Sequence, residues 1–184
     1  MKMNSHTYLK QLEALTFEFL LEVELLQAEP LNNLNFKVDK DTWSVLETLE
    51  HLNLYGDFYI PELTKRIEQS KFPSSEIFNS GVLGGYFVNI LKPRPKLNTM
   101  KTLKDKNPNG SSLNKSVLEC FVNQQKQMLE IIKQSQRVNL TKTKTGISIS
   151  NFIKLRLGDT LGVVVFHNQR HIIQAKNALI NSRK

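Results

Sequence analysis

The chain has 184 residues, of which 40% are apolar and 23% charged, with eight glycines and six prolines. That size supports one domain with a buried core, and the composition excludes a collagen-like, low-complexity or wholly disordered chain. The formal charge of +8 is uneven: residues 1–91 carry 7 Lys/Arg against 13 Asp/Glu, whereas residues 92–184 carry 18 against 4.

The first helix spans about Ser5 to Ala28, where Leu12, Leu15, Phe19, Val23 and Leu26 recur at steps of three and four until Pro30. The second begins at Ser44-Val45-Leu46-Glu47. Ser44 as N-cap and Glu47 three residues later make a capping box, with Trp43 just outside it. Its apolar stripe is Val45, Leu49, Leu52, Tyr59 and Leu63. It ends near Gln69, and Pro61 should bend it. A long connection follows, 71–110, whose middle (Tyr86 to Leu91) is too apolar to lie in water and is expected to pack on the bundle. The third helix runs from about Ser112 to Gln136. A short extra helical turn is expected at Ser148 to Leu157. The fourth helix follows Gly158-Asp159, with Asp159 as its cap. The expected fold is therefore all-α: one domain, 1–184, as an up-down-up-down four-helix bundle with a long crossover between helices two and three.

No apolar run reaches the roughly 18 residues of a membrane span, and Met1 to His6 lacks the features of a secretory signal. The lone Cys120 excludes an internal disulfide framework; beside Phe121, it reads as a buried, unreactive thiol. A soluble, cytoplasmic protein is expected. The basic half could mark a nucleic-acid surface, but its charges are spread out and no nucleic-acid-binding motif accompanies them. Basic helices packed beside acidic ones are the preferred reading, with nucleic acid and membrane discounted as partners.

Three of the four histidines form a constellation. His167 and His171 lie four apart on the fourth helix and so project from one face. They flank its core stripe of Leu161, Val165, Asn168, Ile172 and Ala175, and His51 sits in the same way beside Leu52 on the second helix. Three such rings on facing helices can satisfy their nitrogens together by binding one cation. The alternative is that each ring is satisfied separately, by a backbone carbonyl or water. His6 joins nothing.

The run from Asp41 to Leu52 (DTWSVLETLEHL) resembles the second-helix signature of the DinB-like (YfiT-type) superfamily of three-histidine metalloproteins. Leu157 to Leu161 (LGDTL), then His167 to Ala175 (HNQRHIIQA), resembles its fourth-helix signature. The resemblance implies a four-helix bundle, often dimeric, with a divalent metal held by His51, His167 and His171. It also implies, for some members, transfer of a low-molecular-weight thiol to a small-molecule electrophile, and for others metal-dependent hydrolysis.

Three imidazoles would leave a position open on zinc or nickel, the metals expected here, for a water or for a thiol cosubstrate. Glu47, one turn before His51, could accept a proton, although reciprocal capping with Ser44 is the plainer role. Gln174, one turn past His171, could orient a ligand or water. Tyr55 could wall the groove. Arg170 lies between the two histidines in sequence, about 60° from His167 and 100° from His171 on the helix, and is expected to be solvated. Lys92, Arg94 and Lys96 could attract an acidic thiol's carboxylates.

Overall fold

The computed structural model describes residues 2–93 and 102–183. Four long helices make the body: α1 (Ser5–Leu26), α3 (Val45–Glu68), α5 (Ser116–Ser135) and α6 (Leu157–Ser182). The short α2 (Leu31–Asn35) sits between the first two, and α4 (Val82–Leu91) lies in the crossover. Among the described residues the remaining regular structure is a 3₁₀ turn, Lys104–Lys106, and two two-stranded antiparallel sheets. β1 (Lys2–Asn4) pairs with β2 (Ile77–Asn79), and β3 (Lys144–Ile147) pairs with β4 (Ser150–Arg156). The fold is thus mainly helical, with more helices than the sequence pattern shows and with strands it does not.

Helical periodicity explains the four long elements. The predicted core positions Leu12, Phe19, Val23, Leu49, Leu52, Leu63, Leu161, Val165 and Ile172 are all buried in one cluster. Around the bundle α1 packs on α5, α5 on α3, α3 on α6 and α6 on α1, so α1 and α3 occupy opposite corners. The connections from α1 to α3 and from α5 to α6 therefore cross the bundle's ends. α3 continues helical through Pro61. Its capping box forms as expected: Ser44 Oγ accepts from Glu47 N at 3.1 Å, and Glu47 Oε2 accepts from Ser44 N at 2.9 Å.

Three expectations change. The turn predicted at Ser148–Leu157 is instead β4, which runs straight into α6. The cap of α6 is consequently Arg156, and Asp159 stands in the first turn. Its buried carboxylate accepts from Ser80 Oγ at 2.6 Å and from Gly81 N at 2.8 Å, and Gly81 is the N-cap of α4. Asp159 thus fastens the crossover helix to α6, and α4 packs there as the apolar run requires. Cys120, expected to be buried, is exposed; desolvation and the nearby Asp57 and Glu50 raise its pKa, so it is no activated thiol.

The charge asymmetry has a packing counterpart. Lys176 on α6 pairs with Glu22 on α1 at 2.9 Å, and Arg183 just past α6 pairs with Glu29 just past α1. Among the described residues no helix is long and apolar enough to cross a membrane.

The start of α6 is a tight junction. A Cβ on Gly158 would stand 2.6 Å from the Phe78 ring, and Tyr8 donates to the Gly158 carbonyl at 3.1 Å. Gly158→Ala should therefore destabilise the protein by about 1–3 kcal/mol despite the better helix propensity of alanine. Urea unfolding checks this; an unchanged or raised midpoint would contradict the packing.

Candidate metal centre

α3 and α6 bring the three histidines together. The candidate ligand nitrogens of His51, His167 and His171 all lie within 4.8 Å of one another. The ring centroids are 5.1 Å apart for His51–His167, 4.7 Å for His51–His171 and 4.6 Å for His167–His171. His51 and His171 are buried, and His167 is partly so. Among the described residues no aspartate, glutamate, cysteine or further histidine joins the cluster.

The outer nitrogens are engaged in a way that sets the tautomers. His51 Nδ1 lies 2.6 Å from the carbonyl oxygen of Lys106. A carbonyl can only accept, so Nδ1 carries the hydrogen and Nε2 presents its lone pair inward. His171 Nδ1 lies 3.0 Å from Gln174 Oε1 and, with the amide oxygen toward the ring, donates in the same way. Such partners on the far nitrogen orient metal-binding imidazoles and raise their basicity. The inner atoms, His51 Nε2 and His167 Nε2, are 3.3 Å apart. Two nitrogens at zinc-like bond lengths of 2.0–2.1 Å and a tetrahedral angle stand about 3.3 Å apart. The donor set and its spacing therefore fit a divalent cation.

The crossover's return segment builds the roof. Lys106 Nζ donates to the Leu54 carbonyl at 3.0 Å, while its own carbonyl receives His51. Trp43 donates from Nε1 to Asn107 Oδ1 at 3.2 Å and lays its ring 4.6 Å from His51 and 5.9 Å from His171. Gly110 N donates to Glu47 Oε1 at 2.6 Å. Tyr55 walls the cluster, edge-on to His51 and His167 at 5.0 and 4.9 Å.

The other candidates divide. Gln174 is beside the cluster and holds His171. Glu47 is buried one turn away, with its oxygens engaged by Ser44, Gly110 and Lys37 (3.0 Å), so it ties the roof to the start of α3. Arg170, expected to be solvated, is buried and lines the basin over the histidines. Lys92 places its ammonium 5.0 Å from the Phe166 ring centroid and does not line that basin, while Arg94 and Lys96 lie outside the described residues. His6 is exposed on α1. Neither Lys106 nor the roofing role of Trp43 was foreseen. A backbone carbonyl carries no sequence signal, but Trp43 does stand next to the capping box.

Burial lowers all three imidazole pKa values: His51 to about 4, His171 to about 3, and His167 well below its ordinary value, with neighbouring rings adding to the effect on His167 and His171 and the Lys106 charge to that on His51. The folded chain thus keeps these rings neutral, the form that binds metal. In the unfolded chain they titrate near 6.5. Between about pH 6.5 and 4 the unfolded state takes up as many as three protons that the folded state refuses, so stability must fall as pH falls. Urea unfolding of metal-free protein at pH 7.5, 6 and 5 should show that decline. Equal stability at all three would contradict a buried neutral cluster.

A DinB superfamily model matches residues 9–175, a span holding all three histidines. No curated protein and no solved structure matches the chain. The family match covers most of the helical body, and the chain belongs to the DinB superfamily.

Proposed function

We propose that this protein is a metal-dependent enzyme that transfers a small thiol to an electrophilic small molecule, with His51, His167 and His171 holding zinc or nickel. The observation that carries the reading is the inward convergence of three neutral imidazoles with no fourth protein ligand among the described residues. Structural zinc is normally closed by four protein ligands, whereas catalytic sites keep a position open. When bound, a divalent cation there would supply Lewis acidity, lowering the pKa of a thiol or water that occupies the remaining position.

The chain's own groups have definable parts. His51 and His171 are held in register by the Lys106 carbonyl and Gln174. Trp43 and Tyr55 limit water around the rings. Above the cluster opens a basin of about 810 Å³ whose wall includes Arg170, Asn107 and Gln174, together with Asp41 as its one carboxylate among the described residues. Arg170 brings positive charge where the carboxylate of an acidic thiol would sit. The thiol sulfur would form the new bond to the electrophilic carbon, the leaving group would depart with its electron pair, and the thiol proton would pass to solvent. Among the described residues no carboxylate joins the histidine cluster to relay protons, which favours thiol transfer over hydrolysis. A homodimer belongs to the same reading, supported by Val82 and Phe152, both 97% exposed, which a second copy would cover.

Metal-free protein should take up one zinc or nickel ion per chain, and His167→Ala or His171→Ala should lose at least about 100-fold in affinity with helical circular dichroism retained. Loaded protein should consume a chromogenic electrophile only when a small thiol is added, and His171→Ala should not. Turnover that is independent of thiol would favour the hydrolase reading. No metal uptake at all would end both.

A further inference from the structure

A second cavity, of about 170 Å³, adjoins the histidine basin between α3, α4, α5, α6 and the β3–β4 hairpin. Its lining is largely apolar, with Ile60, Phe87, Met128, Ile147 and Val164 among the contributors, and no Asp, Glu, Lys or Arg takes part among the described residues. Tyr55 and His167 belong to the walls of both spaces. The cavity therefore begins at the ring that also faces the candidate metal.

Three buried amides break the apolar lining, of which Gln124 donates to the Asn53 carbonyl at 3.1 Å and to Asp57 Oδ1 at 2.9 Å. Gln125 and Asn168 are only 4% and 6% exposed, and Asn168 Nδ2 donates to Gln125 Oε1 at 3.1 Å. That bond uses one end of each amide. That leaves Gln125 Nε2 and Asn168 Oδ1 as a further donor and acceptor on residues of the wall. A ligand that fills the cavity must pair with them or leave them desolvated, at a cost of about 1–3 kcal/mol for each.

We propose that this cavity receives the uncharged, apolar body of the substrate whose reactive end meets the histidine cluster. The last clause rests on the metal-site reading; occupancy of the cavity does not. An apolar cavity of about 150 Å³ holds a benzene-sized molecule, which sets the scale here at roughly six to eight carbon atoms. The amide pair adds a requirement for one neutral group that both donates and accepts, such as a carboxamide. A carboxylate or ammonium of the same shape is disfavoured, because it would lose its hydration with no countercharge among the described residues of the wall.

The test uses hexanamide and hexanoate as probes, with the methyl resonance of ¹³C-labelled Met128 as the reporter. Hexanamide should shift that resonance saturably, with or without zinc, and hexanoate should bind at least tenfold more weakly. Val164→Phe should abolish the shift by filling the space. Gln125→Leu should weaken hexanamide at least tenfold, and it remains informative if the bulkier variant does not fold. Hexanamide should also perturb the visible spectrum of a cobalt-loaded sample. Absence of a saturable shift in wild-type protein, or equal binding of the two probes, would overturn the cavity assignment. A shift at Met128 with an unchanged cobalt spectrum would overturn its link to the histidines. Hexanamide binding alongside a failure to bind any cobalt or zinc would instead refute the metal reading and leave the cavity standing.

Discussion

Three imidazoles buried within contact of one another constrain everything around them. In an apolar interior each must stay neutral and must find partners for two nitrogens, at a cost of about 1–3 kcal/mol for each nitrogen left alone. The outward half of the requirement is met by oxygen atoms, the Lys106 carbonyl for His51 and Gln174 for His171. These partners force Nε2 inward on both rings, where it approaches His167. An arrangement that solves the burial problem on the outside therefore concentrates lone pairs on the inside, and a cation resolves that concentration.

The remote parts of the fold serve this geometry. Lys106 belongs to the crossover between α3 and α5, far from His51 in sequence. It is held in place by its own ammonium on the Leu54 carbonyl, by Asn107 under Trp43, and by Gly110 on Glu47. At the other end of the crossover, Asp159 fixes the start of α4 against α6. α4 in turn supplies Phe87, Ile90 and Leu91 to the cavity beside His167. The crossover thus contributes to both spaces next to the cluster, and Glu47 acts on the site through the loop it anchors.

Much of this was legible from residue order alone. The helical period located four long helices, and the capping box located the start of α3 to the residue. The His51, His167 and His171 faces pointed to one place because two strong periodic signals flank them. The hairpin was missed because β3 is only four residues long and half of its pairing signal lies in its partner. α4 was read as an apolar cover without its helicity, since Gly84 and Gly85 mask it; a Cβ at Gly84 would meet Asp159 at 2.4 Å. Arg170 was misplaced for a physical reason: angular position on a helix says which way a side chain points, but not what the rest of the fold packs over it. Partners that are backbone atoms, such as the Lys106 carbonyl, leave no trace in side-chain identity.

The central claim is that three Nε2 atoms hold one ion. X-ray absorption at the zinc edge of protein loaded with one equivalent tests it directly, compared with the His51→Ala variant. The account predicts three imidazole nitrogens at about 2.0–2.1 Å plus an exchangeable oxygen ligand from water, with the imidazole signal reduced in the variant. Zinc ligated by fewer than three imidazoles, or an identical spectrum in His51→Ala, would contradict it.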